Sequence, residues 1–492
     1  MTIFRNQRLK TIAILTLLVL AGSAANAQVK VTDPDENNDI QIIEMTVSAA
    51  KQPDPIFTHR LTLLPKDTVN GNAATIYLDA LAGSSLSKKW RNLEERFGED
   101  VHSWLYNDMP LDQIPLDELK QASSEFDILI LDYIGRATER RNCDWGLGLE
   151  ELRGPLTFGL NFNGLQQTRT ISRAIALQTR FAIAESRFDD AVDLMRMNYR
   201  LAENVGQVKL AVGTLIALAE VGIANGSMVD FIAAADSPNM YWALTELPRP
   251  IVDLRVAMRM ECDNALRIFP EIASADVEEH TVDEWSKIVR EIPVSAMELA
   301  YRSEDALRPE LRFAAMGLGI MSYAGAKRRL IESGMEAKKV EEMAVGQVLL
   351  VEAKREYLRY ANLMEKEIYL PYPGSTERSE AIEEQMTASY RGVSSGFGEM
   401  IAGMMLPSIN HIRSAHVRVQ RDIDALRVIE ALRMHAAETG KFPAALSDIS
   451  VVPIPSNPQT GKPFQYRLDG DTAVIELPHL SGYAKRFRIS LR

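Results

Sequence analysis

The clearest catalytic pattern in the sequence is a G-x-S-x-G pentapeptide formed by Gly392, Ser394 and Gly396. In hydrolases this pattern holds a nucleophilic serine on a sharp turn between a strand and a helix, above a parallel sheet. Here the preceding segment has helical periodicity and no parallel sheet is predicted. We therefore interpret the match as a chance occurrence in a loop of small residues, and we expect no phosphate-binding loop there either.

A second pattern, near the N-terminus, has the spacing of a calcium loop. Asp33, Asp35, Asn37, Asp39 and Glu44 occupy positions 1, 3, 5, 7 and 12 of that motif, and alternate oxygen ligands let one loop wrap a hard cation. However, the glycine of position 6 is replaced, a proline interrupts the loop, and too few residues precede it for an incoming helix. We expect an acidic linker here, with calcium binding as the minor alternative.

The two cysteines, Cys143 and Cys262, are compatible either with one disulfide or with two buried thiols. The sequence leaves both possibilities open. No C-x-x-C motif is present, which excludes a ribbon-type zinc site. Cys143 begins a Cys143-Asp144-Trp145 corner, but no base that would activate the thiol is identifiable. We expect Trp145 to fill the core rather than to line a groove.

The remaining titratable residues form no recognisable site. Adjacent glutamates, such as Glu94 and Glu95, diverge by about 100° on a helix, so such pairs indicate solvated faces. His411 and His416 lie about 140° apart on a helix and therefore do not share a metal. The sequence thus assigns no catalytic, cofactor-binding or metal-binding residues.

Length and composition indicate a large, acidic, helix-rich protein. The 492 residues exceed one ordinary core and predict two or three domains. With 55 Lys and Arg against 67 Asp and Glu, the net charge is −12. An acidic chain is a poor ligand for nucleic acid or for anionic membranes. Aromatic residues make up only 7%, and the abundance of Leu, Ala, Glu and Arg favours helices.

The N-terminus has the pattern of a secretory signal peptide over residues 1–27. Basic residues precede an apolar run over residues 11–21, and Ala25-Asn26-Ala27 supplies a cleavage site before Gln28. An uncleaved anchor is the alternative, but the apolar run is short for a membrane span. We expect a periplasmic or secreted protein with no membrane span after cleavage.

The rest of the chain is organised around residues 168–235, which are apolar at helical spacing and interrupted by turns. We predict an acidic linker over residues 28–71 and an irregular stack of αα-hairpins over residues 72–406. The turn that contains Phe188 and Ala191 resembles the inter-helix turn of a tetratricopeptide repeat, where an aromatic and a small residue allow close packing. The next comparable turn does not keep the repeat's period, so no counted array is expected.

The last part, residues 407–492, should contain one long helix and a small antiparallel sheet. The helix is expected to end at Gly440. Strands are predicted over residues 464–468, 473–477 and 483–491, with a hairpin at Asp469-Gly470-Asp471. The predicted fold class is therefore mainly α, with a small C-terminal helix-plus-sheet module.

Two family resemblances bear on function. The Cys143-Asp144-Trp145 corner, the Arg187–Ala191 turn and the segment around Tyr241 and Trp242 together resemble a group of exported, functionally uncharacterised bacterial proteins common in planctomycetes. That likeness runs from about residue 72 to the C-terminus. Because the group has no established activity, the resemblance implies export and a helical fold but no reaction.

The C-terminal segment carries its own resemblance. Gly440-Lys441-Phe442-Pro443, Asn457-Pro458 and Gly461 to Tyr466 are similar to the periplasmic part of type II secretion pseudopilins. The likeness implies a long helix packed on a small sheet, with a connecting loop that holds calcium in some members. Acidic ligands are sparse in this loop, so no metal is expected. The prepilin cleavage signal is absent, which indicates reuse of the module and not a pilin subunit.

These observations favour an exported helical scaffold that binds a protein or peptide of the cell envelope. No cofactor and no nucleic-acid partner is expected. The alternative is a hydrolase of envelope or extracellular polymers, with acids contributed by separate helices around Trp145 and Trp242. A cleft lined by these aromatics in which two or more carboxylates converge would distinguish the hydrolase from the scaffold.

Overall fold

The computed structural model describes residues 29–34, 39–83, 86–98, 100–106, 109–149, 151–154, 162–301, 309–391, 399, 402, 406, 409–480 and 483–492. The expected signal peptide, the G-x-S-x-G pentapeptide and the candidate ligands Asp35 and Asn37 lie outside these residues. Within them the protein is mainly α-helical with a small sheet at its C-terminal end, which confirms the predicted fold class.

The helices and strands follow one another along the chain with short connections. The helices are α1 (Ala73–Gly83), α2 (Leu86–Phe97), α3 (Asp100–Tyr106), α4 (Leu116–Ser124), a π-helix (Ile128–Ile134), α5 (Gly135–Thr138), α6 (Asn163–Ala184), α7 (Phe188–Val205), α8 (Ala211–Ala233), α9 (Tyr241–Glu246), α10 (Leu254–Ile268), α11 (Pro270–Ala273), α12 (Val282–Tyr301), α13 (Pro309–Glu332), α14 (Ala337–Glu342), α15 (Val345–Ile368), α16 (Thr376–Arg391) and α17 (Ile409–Thr439). The strands are β1 (Val29–Thr32), β2 (Ile40–Val47), β3 (Val69–Asn72), β4 (Arg140–Asn142), β5 (Gln465–Asp469), β6 (Thr472–Leu480) and β7 (Tyr483–Leu491).

Helices α6, α7 and α8 form the centre of the fold, as the apolar periodicity predicts. At the α6–α7 turn, Phe188 packs edge-on against Phe231 of α8 with ring centroids 5.4 Å apart, and Ala191 is fully buried. Helix α8 is long and apolar enough to cross a membrane by length and composition alone. However, 72% of its apolar stretch is buried inside the protein, as is typical of a core helix.

The chain between α4 and β4 differs from the single helix that its apolar pattern suggests. Helix α4 ends at Ser124, and the π-helix follows. Its wider turn is closed by the Gly135 N–H donating to the Ile130 carbonyl, five residues back. Phe126, Ile130 and Ile134, spaced four apart, are all fully buried. The wider turn therefore keeps every fourth residue facing the core.

The N-terminal strands overturn the linker expected over residues 28–71. In the five-stranded sheet, ordered β1-β2-β7-β6-β5, strand β2 pairs in parallel with β7, with Ile43 opposite Phe487. Ile43, Met45 and Val47 are buried whereas Glu44 between them is exposed. This period-two alternation is that of a half-buried strand, and the acidic residues before it conceal it in the sequence.

The strand also bears on the calcium pattern. Glu44, its expected twelfth position, lies within β2 rather than in a loop, and its carboxylate is 3.6 Å from the Arg488 guanidinium. The Asp33 carboxylate accepts a 2.8 Å hydrogen bond from the Gln41 amide. These two side chains are therefore engaged with the sheet.

The C-terminal elements match their prediction closely. Helix α17 ends before Gly440, whose φ of +77° suits glycine, and its N–H donates to the Ala436 carbonyl. The hairpin joins β5 and β6 through a two-residue turn with Gly470 at φ +62°. The third strand, β7, covers the predicted residues. Helix α17 and the sheet share one hydrophobic cluster with α6, α7 and α8.

Candidate functional site

The Cys143-Asp144-Trp145 corner is anchored to the start of α1. The Asn72 side-chain oxygen accepts hydrogen bonds from the backbone N–H of Ala74 (3.1 Å) and of Asp144 (2.8 Å), and its amide donates to the Asp144 carbonyl (2.6 Å). Trp145 is only 8% exposed and stacks on Tyr77 at 5.9 Å. Burial of this tryptophan confirms the expectation that it fills the core.

A shallow cleft of about 470 Å³ lies beside this corner, between residues 143–149 and 207–209. Asp144 is the one carboxylate among its described lining residues, and it accepts a hydrogen bond from the Gly146 N–H at 2.9 Å. Cys143 and Cys262 are both free and buried. Burial raises the pKa of each thiol to about 12. Neither cysteine is therefore an activated nucleophile.

Trp242 forms a separate corner. Its indole N–H donates to the Gln52 side-chain oxygen at 2.8 Å, and its ring meets Phe57 edge-on at 6.4 Å. Arg60 lies over the Phe57 ring at 4.5 Å and forms a 2.9 Å ion pair with Glu246. Trp242 therefore holds the segment after β2 against α9, and it does not line the cleft beside Trp145. The described residues do not show the convergent carboxylates expected of a hydrolase there.

An open cleft of about 430 Å³ lies between α4, the π-helix and the α6–α7 turn. We call it the α6–α7 cleft. The lining side chains come from consecutive turns of these elements: Lys120, Ser123, Ser124, Asp127, Leu131, Gln178, Phe181, Arg187, Asp190, Asp193, Leu194 and Met197. Its volume falls within the range of small-ligand and peptide pockets.

The floor of the α6–α7 cleft is apolar. Leu131 projects from the π-helix and is 63% exposed, an unusual degree of exposure for a large aliphatic residue in a folded core element. Phe181, Leu194 and Met197 continue the apolar surface from α6 and α7. π-Helical turns occur frequently at functional sites because they displace side chains from the regular helical positions.

The rim of the cleft is polar and fixed by its own hydrogen bonds. The Arg187 guanidinium contacts the carboxylates of Glu185 (2.8 Å) and Asp190, and it lies 5.2 Å from the centre of the Phe181 ring. Slight burial opposes ionisation, but these two carboxylates raise the pKa of Arg187. Across the cleft, the Gln178 amide donates to Asp127 at 2.8 Å. The rim therefore presents preorganised charges to a ligand.

The chemistry of this lining suits binding better than catalysis. Among the described lining residues there is no histidine or cysteine, and the Ser124 hydroxyl donates to the Gln121 carbonyl. Over the described part of the chain, no group of three or more His, Cys, Asp or Glu side chains could hold a metal ion. His411 is exposed, whereas His416 is largely buried in another cavity.

The sequence pointed to only one wall of the α6–α7 cleft. The Arg187–Ala191 turn stood out as repeat-like, but Lys120, Asp127 and Leu131 did not. A spacing of four between buried residues fits both an α-helix and a π-helix, so the exposure of Leu131 had no signal of its own.

No family model, curated protein or solved structure matches this chain. The function proposed below therefore depends on the geometry and chemistry of the described residues.

Proposed function

We propose that this protein is an exported helical scaffold that binds a segment of another cell-envelope protein in the α6–α7 cleft and carries out no catalytic step. The observation that supports this most directly is the exposed apolar floor beneath a polar rim whose charges are already paired. Such a surface gains free energy when a partner covers it, and its ordered rim limits the entropy lost on binding.

The apolar floor supplies the binding energy. Leu131 is 63% exposed, and full burial of a leucine side chain stabilises a complex by about 1.5–3 kcal/mol. Phe181 and Met197 are partly buried and lie within the same cleft. A partner side chain that enters between them is therefore apolar.

The rim determines which neighbours of that apolar residue are favoured. Asp190 and Asp193 on α7 have side chains that are 58% and 64% exposed. Each already has an arginine partner, but an exposed carboxylate still has free lone pairs. A lysine or arginine in the partner next to the apolar residue would meet these carboxylates. We therefore expect a segment with an apolar residue flanked by a basic one.

The remaining features give this binding module a location and a frame. The signal-like N-terminus supports export to the periplasm or beyond. The resemblance of the α6–α7 turn to a tetratricopeptide repeat supports a peptide-binding role, because stacked hairpins of this type present extended binding surfaces. The pseudopilin-like module is proposed as a structural cap, since α17 and β6 pack against the same core as α8.

Selection from a random peptide library displayed on phage tests the proposal. Peptides enriched on the purified protein should carry an apolar residue next to a basic one. Leu131→Asp places a charge on the cleft floor and should weaken those peptides at least tenfold, equivalent to about 1.4 kcal/mol. Leu215→Asp is the matched control, because Leu215 on α8 is 44% exposed and does not line the cleft.

The proposal is wrong if no peptide is enriched, or if both variants bind the enriched peptides as the wild type does. Export is tested separately. An intact mass that corresponds to a chain beginning at Gln28 after expression with the native leader supports it, and a mass that includes Met1 contradicts it.

A further inference from the structure

A second cavity, remote in sequence from the α6–α7 cleft, lies where three parts of the chain meet. The start of α10, the connection between α15 and α16, and the first half of α17 enclose about 270 Å³. We call it the Arg413 cavity. Its polar lining consists of Asp253, Arg255, Tyr369, Tyr372, Arg413 and His416.

Arg413 is a buried cation without a carboxylate partner among the described residues. Only 4% of it is exposed. Its guanidinium donates to the Ser375 hydroxyl (2.7 Å), the Ser379 hydroxyl (2.9 Å) and the Leu370 carbonyl (3.2 Å). All three acceptors are neutral. A buried charge that lacks an opposite charge is unfavourable, and burial correspondingly lowers the pKa of this guanidinium.

The hydrogen bonds around Arg413 do not require the arginine. The Ser375 hydroxyl donates to the Tyr372 carbonyl at 3.1 Å, and the Ser379 hydroxyl donates to the Ser375 carbonyl at 3.0 Å. Both serine protons are therefore satisfied without Arg413. In addition, the contacts with described residues use three of the five guanidinium N–H donors.

The other polar groups of the cavity add to its positive character. Arg255 contacts the Asp253 carboxylate at 2.6 and 2.8 Å, so this pair is neutral overall. The His416 Nε2 atom is buried and has no hydrogen-bond partner among the described residues. Arg413 is therefore the uncompensated charge of the cavity, and His416 supplies a further unused polar atom beside it.

The rest of the lining is apolar, from Leu254, Ile368, Leu370 and Val417. An inorganic anion would leave this surface uncovered, whereas an anion with an apolar body would cover it. We infer that the Arg413 cavity binds a small organic carboxylate, whose anionic group neutralises Arg413 and whose apolar body packs against Ile368, Leu370 and Val417.

Calorimetric titration and thermal melting with benzoate and 3-phenylpropanoate test this inference. Benzamide serves as the neutral isostere, and inorganic phosphate at matched ionic strength serves as the anion without an apolar body. We expect one or both carboxylates to bind and to raise the melting temperature, and benzamide and phosphate to bind at least tenfold more weakly.

Two variants connect the binding to this cavity. Arg413→Met should abolish carboxylate binding with little loss of melting temperature, because the buried charge is removed and the serine protons keep their acceptors. Arg328→Met is the control, since Arg328 on α13 has a side chain that is 72% exposed and lies outside the cavity. His416→Gln should weaken binding severalfold and provides the test if Arg413→Met does not fold.

The inference is overturned if neither carboxylate binds the wild type, or if benzamide or phosphate binds equally well. Binding that persists in both Arg413→Met and His416→Gln overturns it as well. If Arg413→Met does not fold and His416→Gln binds the carboxylates as the wild type does, Arg413 is a structural arginine and the inference is wrong.

Discussion

Glu220 on α8 should be protonated at neutral pH in the folded protein. It is fully buried, and its Oε1 atom lies 2.6 Å from the Thr168 hydroxyl oxygen, which lies 2.6 Å from the Leu165 carbonyl. A hydroxyl has one proton and can donate to only one of these oxygens. Both short distances are satisfied if Glu220 donates to Thr168 and Thr168 donates to Leu165.

The same conclusion follows from the environment of the other carboxyl oxygen. Oε2 of Glu220 is buried and has no partner among the described residues, so an ionised carboxylate would be poorly stabilised. Burial raises the pKa of Glu220 from its ordinary 4.5 to about 8, and the Thr168 contact lowers it only partly. Between these two values the folded protein retains a proton that the unfolded chain has lost.

The sign of the pH dependence follows from this difference. Where the folded state binds the extra proton, the free energy of unfolding falls as pH rises, by up to about 1.4 kcal/mol per pH unit. The contribution of Glu220 is therefore most favourable below pH 4.5. It is lost progressively as pH rises towards 8, by about 3 kcal/mol at pH 7.

Glu220→Gln tests this reasoning, because the glutamine amide is neutral at every pH and can donate to Thr168 as the protonated acid does. We expect the variant to match the wild type near pH 5 and to be more stable by about 3 kcal/mol near pH 8. Chemical denaturation at both pH values measures the difference. Glu118→Gln on the exposed face of α4 is the control. A variant that is less stable near pH 8, or an advantage that does not change with pH, would refute the argument.

Three further substitutions test the packing. Gly346→Ala should lower stability by about 1–3 kcal/mol, because the new Cβ would lie 2.8 Å from the Trp285 carbonyl oxygen; an unchanged denaturation midpoint would contradict this close approach. Arg433→Met should cost about 3–5 kcal/mol, since it leaves the fully buried Glu430 unpaired. The double variant with Glu430→Leu should recover part of that loss, and an additive loss would contradict the pairing. Gly440→Ala should cost about 1 kcal/mol at φ +77°, with Gly440→Asn as the better-tolerated comparison.

The elements that the sequence predicted best are those encoded by neighbouring residues. Gly440 ends α17 because only a few residues determine a helix terminus. The turn at Asp469-Gly470-Asp471 likewise fixes the β5–β6 hairpin within a short stretch. The apolar periodicity of α6, α7 and α8 was sufficient to place the centre of the fold.

The features that the sequence did not reveal depend on distant residues. Strand β2 was hidden because its partner β7 lies at the other end of the chain, with Ile40 opposite Ala484. The character of Arg413 depends on Ser375, Ser379 and Leu370, which belong to another part of the chain. Neither pairing leaves a local periodic signal, so no window of sequence could have shown it.

Strand β7 has a consequence for how the protein folds. It lies between β2 and β6, and therefore it joins the first strands of the sheet to the last ones. In a chain made from its N-terminus, β1 and β2 emerge first, yet an isolated two-stranded hairpin is only marginally stable in water. These strands keep an open, partly apolar edge until residues 483–491 arrive, which makes sheet closure slow and prone to misassociation. The first strands to be synthesised are thus completed by the last.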